Sequence, residues 1–401
     1  AALRAGMNAA KDYPAIPRLP AAKTDSGARW GITGNEAAGL GAVRGGVRFV
    51  AAYPITPATE VLEWLAPALA KVGGTLVQAE DELASINQII GASYGGVPAL
   101  TATSGPGLSL MTESIGLAIA SETPIVVVNV MRGGPSTGIP TKSEQSDLNI
   151  ALYGMHGDAP HLVLAPNSLS DCLFTTQWAV HLAEALQTAA IVLSDQSLGQ
   201  ARAVIPRPAD VAFMAKRDKP AVAAEPKYQR YAATASGVSP MAIPGMAGFQ
   251  YTADGLEHNE TGTPSSSVAD HAAQLDKRLR KLTQYNYGDH WADIEGEGDT
   301  AVIAWGSSTG PAREALRRAQ STGKQAKLIS LRLLSPAQPE KFAEAMKGVK
   351  RALVVEQSHS GQFYRYLRAH YDLPPEVRAL HRPGPLPVRP HTVFEHLASW
   401  I

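Results

Sequence analysis

An α/β chain built on a doubly wound parallel sheet is what three features of the sequence predict. From Arg29 to about Val204, short apolar runs alternate with amphipathic segments at the spacing of βαβ units. The runs are short and rich in branched residues, and Val47 to Ala52 reads as a strand covered on both faces. The alternation then stops over 206 to about 290, where Pro, Ser, Thr, Asp and Gly accumulate, and resumes at Thr300.

Taken in order, residues 1–28 are rich in Ala, Pro and Lys without periodicity and read as a linker following a preceding domain of a longer polypeptide. Residues 29–205 carry the first α/β domain. Its expected strands are Val47 to Tyr53, Thr75 to Gln78, Ala99 to Thr103, Ile125 to Met131, Leu162 to Ala165 and Ala189 to Leu193. Helices fall between them at Glu60 to Lys71, Leu83 to Tyr94 and Leu108 to Ser121. An earlier small-residue helix with Asn35 as its cap runs toward Gly46. Residues 206–298 read as an extended connector shaped by turns, with one helix at Val268 to Leu282. Residues 299–401 form a second, smaller α/β domain, with strands at Thr300 to Trp305, Lys327 to Leu331 and Ala352 to Val355 and helices at Pro311 to Ser321 and Pro339 to Met346.

Composition excludes several functions. Thirty-six basic residues balance thirty-six acidic ones over 401 positions, so no charge excess points to nucleic acid, a membrane surface or steering of acidic ligands. One cysteine, Cys172, rules out an intrachain disulfide framework, and this chain cannot ligate an iron–sulfur cluster alone. No apolar run reaches the length of a membrane span and no signal-peptide pattern opens the chain, which fits a cytoplasmic protein.

Candidate chemistry gathers where strands end, the ligand-binding edge of parallel α/β sheets. In Y-P-I-T-P (Tyr53 to Pro57), two prolines fix a turn that either presents Thr56 to a ligand or makes it a helix cap. Glu80-Asp81-Glu82 opens a helix, where carboxylates suit the dipole; one of them buried at the sheet edge would instead serve as an acid or base. Thr103 to Gly107 is a tight turn whose N–H groups can face a ligand or simply close the turn. Arg132, heading R-G-G-P-S-T-G-I-P-T, is placed either to grip a carboxylate or to anchor its own loop. The glycines from Gly34 to Gly46 admit a phosphate or a close helix contact. Asp254, Glu257, His258 and His271 have poor spacing for a metal. Glu356 to Gln362 reads first as a capping turn.

Together, Tyr53 to Pro57, Glu80 to Glu82, T-A-T-S-G-P-G at Thr101 to Gly107, Arg132 to Thr141 and V-V-E-Q-S-H-S-G-Q at Val354 to Gln362 resemble the α subunit of 2-oxoacid:ferredoxin oxidoreductases, in order and spacing from about Gly34 to the C-terminus. The resemblance implies a thiamine-diphosphate-enzyme pyrimidine-binding domain followed by a transketolase C-terminal-like domain. It implies coenzyme A-dependent oxidative decarboxylation of a 2-oxoacid, with electrons passing to ferredoxin. By the same resemblance, Glu82, nine residues before Gly91, is the carboxylate that hydrogen-bonds the aminopyrimidine ring and favours the tautomer able to take the thiazolium C2 proton. Thr56 and Arg132 bind the 2-oxoacid, and Tyr53, Pro54, Ile55, Ser104 and Gly105 line the cofactor. Relatives of this type bind the cofactor diphosphate and Mg2+ on a β subunit through a G-D-G motif that this chain lacks, and that subunit also carries a 4Fe-4S iron–sulfur cluster. The resemblance therefore implies a half-site completed in an α2β2 heterotetramer. The R-G-G-P-S-T-G form of the loop is similar to the 2-oxoglutarate and broad 2-oxoacid lineage, with pyruvate or another 2-oxoacid as the alternative. Two readings from other classes stay open: a nucleotide-dependent enzyme using the Gly34 to Gly46 helix, and a non-catalytic docking subunit.

Overall fold

The computed structural model describes residues 1–14, 17, 18, 21, 27–221 and 228–400. The stretch read as a linker, 1–28, lies partly outside these; within it, α1 (Ala2–Ala9) is an alanine-rich helix that buries none of its residues. Alanine propensity favours it locally.

After β1 (Arg29–Thr33) comes α2 (Gly34–Gly45), and its cap is Thr33 rather than the expected Asn35. Thr33 Oγ1 accepts from the Glu36 N–H while Glu36 accepts from the Thr33 N–H, a reciprocal box that needs the acid at the third helical position. Asn35 is freed to donate to the Pro57 carbonyl at 2.9 Å, behind the Y-P-I-T-P turn. The glycines of α2 are there for contact: a Cβ on Gly34 would stand 2.1 Å from the Leu198 carbonyl oxygen, and one on Gly41 2.2 Å from that of Leu173. Close helix packing is thus sufficient reason for them, and the nucleotide reading loses its support.

The strands β2 (Phe49–Ala52), β3 (Thr75–Gln78), β4 (Ala99–Thr103), β5 (Ile125–Met131), β6 (Leu162–Leu164) and β7 (Ala189–Asp195) pair in parallel in the order β6-β7-β5-β4-β2-β3. The crossovers are α3 (Thr59–Ala70), α4 (Glu82–Tyr94), α5 (Gly105–Ala120), α6 (Leu148–Tyr153) and α7 (Asp171–Leu186). β5 and β7 are buried at every position, as central parallel strands require. α5 starts three residues before the apolar run that predicts it, because Pro106 stands in the first turn, where its missing N–H costs nothing. A short α8 (Gln196–Gly199) leads to β8 (Arg202–Pro206), which pairs antiparallel with β1. This ribbon, half exposed and carrying arginines, has no apolar run to announce it.

From β8 to α9 (Val268–Thr283) the described chain has neither helix nor strand beyond a single bridge between His258 and Pro264. Side chains directed inward hold it instead. Arg217 donates to both carboxylate oxygens of Glu184 on α7, at 2.9 and 2.8 Å, and to the Ser93 carbonyl at 2.5 Å. Glu122, just beyond α5 and 0% exposed, accepts from Lys277 at 2.5 Å and Lys281 at 2.9 Å, which stand four apart on one face of α9. Arg230 of the connector donates to the Glu122 carbonyl at 2.9 Å.

A second sheet contains β9 (Ala292–Gly296), β10 (Thr300–Trp305) and β11 (Lys327–Leu331). The short β12 (Leu333–Ser335) crosses to pair antiparallel with β6 of the first sheet. The second sheet is completed by β13 (Arg351–Glu356) and β14 (Glu376–His381) in the order β14-β13-β10-β11-β9, parallel except for β9. Its helices are α10 (Thr309–Ser321), α11 (Pro339–Ala345), α12 (Gln362–His370) and α13 (Pro390–Ala398).

The two lysines facing Glu122 generate a prediction. Burial alone would raise the Glu122 carboxyl, but Lys281, Lys277 and Arg230 hold it well below the usual carboxylate range. Glu122→Gln leaves two buried ammonium groups without a counter-charge, so denaturant unfolding at neutral pH is expected to show a loss of about 3–5 kcal/mol. Replacing all three by apolar residues of similar volume, Glu122→Leu with Lys277→Met and Lys281→Met, is expected to lose far less.

Candidate active site

Parallel pairing sets the carboxyl ends of β3, β2, β4 and β5 side by side, and each is followed by one of the sequence motifs. β2 runs into Tyr53 to Pro57, with Tyr53 and Thr56 exposed, Pro54 and Ile55 half-buried and Pro57 buried. Thr56 is not a helix cap: α3 begins at Thr59 behind Ala58, with no side-chain cap. Arg132, at the end of β5, donates from Nη1 to the Thr56 carbonyl at 2.8 Å, so the two residues meet across the intervening β4 turn. Arg132 Nε is buried without a hydrogen-bond partner among the described residues.

The three acids after β3 divide. Glu80 is exposed, and Asp81 caps α4 by accepting from the Ala84 N–H at 2.6 Å. Glu82, in the first turn of α4, is buried at 7% exposure. Its carboxylate lies against the turn after β4: a Cβ on Gly107 would stand 2.8 Å from Glu82 Oε1 and 2.1 Å from Thr103 Oγ1. Only glycine fits there, so Gly107 is what makes room for a carboxylate at this depth. Ser104 Oγ, in the same turn, is buried and has no partner among the described residues.

Two further groups at this edge carry no sequence motif of their own. Asn129, inside β5, donates to Asp147 Oδ2 at 2.9 Å. The Asp147 carboxylate also closes over the β4 turn, 2.8 Å from where a Cβ on Gly105 would be. Burial pushes the Asp147 carboxyl up to about 6; the Asn129 hydrogen bond and Arg132 act the other way, and Glu144 adds to the rise. The only signal for Asp147 in the sequence is an acid just before the Leu148–Tyr153 helix, which is also what an ordinary cap looks like.

Elsewhere, Glu257 pairs with Arg278 at 2.6 Å and with His271 at 2.6 Å. Among the described residues no group of three His, Cys, Asp or Glu side chains gathers to hold a metal ion. No helix of the described chain is long and apolar enough to cross a membrane.

Residues 40–277 match the family model for the pyruvate flavodoxin/ferredoxin oxidoreductase thiamine diphosphate-binding domain. The chain belongs to this family. It is 37% identical over 363 residues to the 2-oxoglutarate synthase subunit KorA of Methanothermobacter marburgensis, covering 88% of this chain and 96% of that one. The 2-oxoglutarate oxidoreductase subunit KorA of Mycobacterium tuberculosis is 36% identical over 385 residues, covering 92% of this chain and 58% of that one. Among solved structures, 2-oxoglutarate:ferredoxin oxidoreductase from Magnetococcus marinus, with 2-oxoglutarate, coenzyme A and succinyl-CoA bound, superposes with a TM-score of 0.91 at 41% identity, covering 99% of this chain and 70% of that one. A split-gene transketolase, at 14% identity and a TM-score of 0.51, shares the fold. The expected fold class, a thiamine-diphosphate-enzyme pyrimidine-binding domain with a transketolase-like partner domain, is therefore the observed one.

The strand-end edge suits the pyrimidine end of such a cofactor. The Glu82 carboxylate, on a residue 7% exposed and set against a glycine-lined turn, provides an acceptor there.

The elevated Asp147 carboxyl makes stability depend on pH in a definite direction. Its folded value lies above the ordinary 3.8, so the folded state binds more protons and stability falls as pH rises from about 4, the loss being complete above about 6. Asp147→Asn removes that penalty. Its thermal midpoint relative to the unsubstituted chain is expected to rise across this interval and level off above it; a difference independent of pH would contradict the assignment.

Proposed function

We propose that the chain is the α subunit of a cytoplasmic 2-oxoglutarate:ferredoxin oxidoreductase. With coenzyme A it converts 2-oxoglutarate to succinyl-CoA and carbon dioxide, or runs the reverse reductive carboxylation. It works as an α2β2 assembly whose β subunit carries Mg2+ and the 4Fe-4S cluster and passes electrons to ferredoxin. In this reading 29–205 is the pyrimidine-binding domain, 206–298 the connector and 299–401 the transketolase C-terminal-like domain, with the expected bounds crossed twice: the end of the connector supplies β9 to the second sheet, and β12 joins the first.

The observation that carries the proposal is the buried Glu82 on the same strand-end edge as the Arg132–Thr56 contact. Thiamine diphosphate, when bound, supplies the carbon nucleophile and the electron sink for decarboxylation. Glu82 holds a proton against the aminopyrimidine ring nitrogen. It does so from a fixed, water-poor position, where a carboxylate is a more effective partner than in bulk solvent. Ser104 and Gly105 line the ring from the β4 turn, and Tyr53, Pro54 and Ile55 wall the other side. With one arm held by the Thr56 carbonyl, Arg132 keeps its remaining donors for the substrate carboxylate, and the Thr56 hydroxyl faces the keto oxygen. The R-G-G-P-S-T-G form of the loop and the names of the relatives support 2-oxoglutarate over pyruvate.

The test is coenzyme A-dependent reduction of a viologen dye by the anaerobically purified complex with a panel of 2-oxoacids. Glu82→Gln is expected to lower turnover by about 10²–10⁴-fold with the complex still assembled. Arg132→Ala is expected to raise KM for the 2-oxoacid by roughly 10–100-fold, the worth of a charge-assisted hydrogen bond. Near-normal kinetics in both variants would favour the non-catalytic docking subunit.

A further inference from the structure

The stretch Val354 to Gln362 has no part in the reading above, yet it reaches the segment that leaves the Arg132 loop. Glu356, fully buried, accepts from the Phe363 and Tyr364 N–H groups, both at 2.9 Å, and from Ser358 Oγ at 2.7 Å. It thereby caps α12, as the sequence suggests, and fixes the turn that carries Gln357. Gln357 and Gln145 then bond reciprocally. The Gln145 N–H donates to the Gln357 carbonyl at 2.7 Å, and the Gln357 N–H donates to Gln145 Oε1 at 2.8 Å. Gln145 Nε2 reaches the Trp305 carbonyl at 2.8 Å, and Gln357 Nε2 reaches the Ser143 carbonyl at 3.0 Å. On either side, the Gly384 N–H donates to Glu144 Oε2 and Gln362 Nε2 donates to the Ser146 carbonyl. Residues 143–146 are therefore each tied to the second sheet or its loops.

The other side of this segment faces the site. The Gly133 N–H, one residue past Arg132, donates to the Lys142 carbonyl at 3.0 Å and closes the loop at its neck. Glu144 Oε2 stands 3.1 Å from where a Cβ on Gly133 would be, and the Asp147 carboxylate meets Asn129 and Gly105. A loop rich in Gly and Pro, with residues 134–137 exposed, has little packing of its own to order it.

We propose that Gln357, acting with Gln145, is a positioning residue for 2-oxoacid binding: the reciprocal pair clamps residues 143–146 and so holds the neck of the Arg132 loop against the strand-end edge. This rests on Arg132 as the carboxylate anchor. When only a fraction of molecules hold the loop in place, apparent affinity falls by that fraction while the step after binding is unaltered. The clamp therefore acts on KM for the 2-oxoacid and leaves kcat alone.

Gln357→Met keeps the volume and removes the Nε2 donor to the Ser143 carbonyl, while Gln145→Met removes the Oε1 acceptor of the Gln357 N–H and the donor to the Trp305 carbonyl. In the assembled complex, KM for 2-oxoglutarate is expected to rise about tenfold, the worth of one or two buried hydrogen bonds, with kcat and KM for coenzyme A nearly unchanged. Gln357→Met with Gln145→Met is expected to cost little more than either alone, because the two act as a unit. Gln362→Ala, at the more exposed end, gives a milder version that retains the buried pair. Hydrogen exchange over 133–142 in the same complexes is expected to quicken. An unchanged KM with unchanged exchange in the folded variants overturns the proposal. A wild-type complex that reduces no dye with any 2-oxoacid overturns the reading of Arg132, and exchange then decides the clamp on its own.

Discussion

Everything at the candidate site depends on parallel pairing of four neighbouring strands. Parallel strands point their carboxyl ends the same way, and β3, β2, β4 and β5 lie side by side. Glu82, Thr56, the Ser104 to Gly107 turn and Arg132 are up to 76 residues apart in the chain, as Thr56 and Arg132 are, yet this brings them onto one edge. Each strand end then needs only one short turn to present its residue. The turn after β4 relies on glycine at two positions where a Cβ would collide, Gly105 against Asp147 and Gly107 against Glu82. The fold gives the alignment, and a few missing side chains give the depth.

The connector shows a different economy. Before α9 it has almost no regular structure, and yet it lies firmly on the first domain, because it and α9 place charged groups into sites already built for them. Arg217 meets Glu184, and Lys277 and Lys281 meet Glu122, with all five side chains buried. Apolar residues would bury as favourably, or better, than ion pairs of this kind. An unpaired charge there is very costly, however, so the pairs penalise any other path of the chain over the surface. That suits a segment whose own sequence specifies little, and whose course decides where the second sheet sits.

Legibility in the sequence followed the same division. The buried parallel strands were plain, because a strand covered on both faces has no choice but to be apolar; β5 is the clearest case. The strands β1, β8, β9 and β14 were not, because each leaves alternate side chains in water and carries polar residues there. The short β12 eluded the pattern for another reason: it leaves the sheet of its neighbours in sequence to join the first sheet. Of the site, Thr56, Glu82 and Arg132 stood out as strand-end residues, but their meeting is a tertiary fact. Asp147, Asn129 and Gln145 did not stand out, since an acid before a helix, a lone polar residue in a strand and a glutamine in a loop are each commonplace. What distinguishes them is burial together, which no local pattern encodes.

Two arginines make the distinction between framework and function concrete. Arg332, between β11 and β12, engages all three guanidinium nitrogens. Nε donates to Asp171 at 3.0 Å, Nη1 to the His290 carbonyl at 2.8 Å and Nη2 to Asp293 at 2.7 Å, while the plane lies over the Phe174 ring. Its backbone N–H and carbonyl are also used, by Trp291 and Ala165, so it pins β12 where the sheets meet. A planar fork with all three nitrogens engaged, two of its partners being carboxylates, is a fastener. Arg132 has the same chemistry at a comparable strand end and makes, among the described residues, one hydrogen bond, 2.8 Å to a backbone carbonyl. That contact fixes the fork's position, and although Asp147 feels its charge, no carboxylate among the described residues pairs with it, the condition under which an arginine attracts an anion. By bridging Asp171 of α7 and Asp293 of β9, Arg332 ties the first domain to the second sheet, whereas Arg132 keeps donors that the fold does not use.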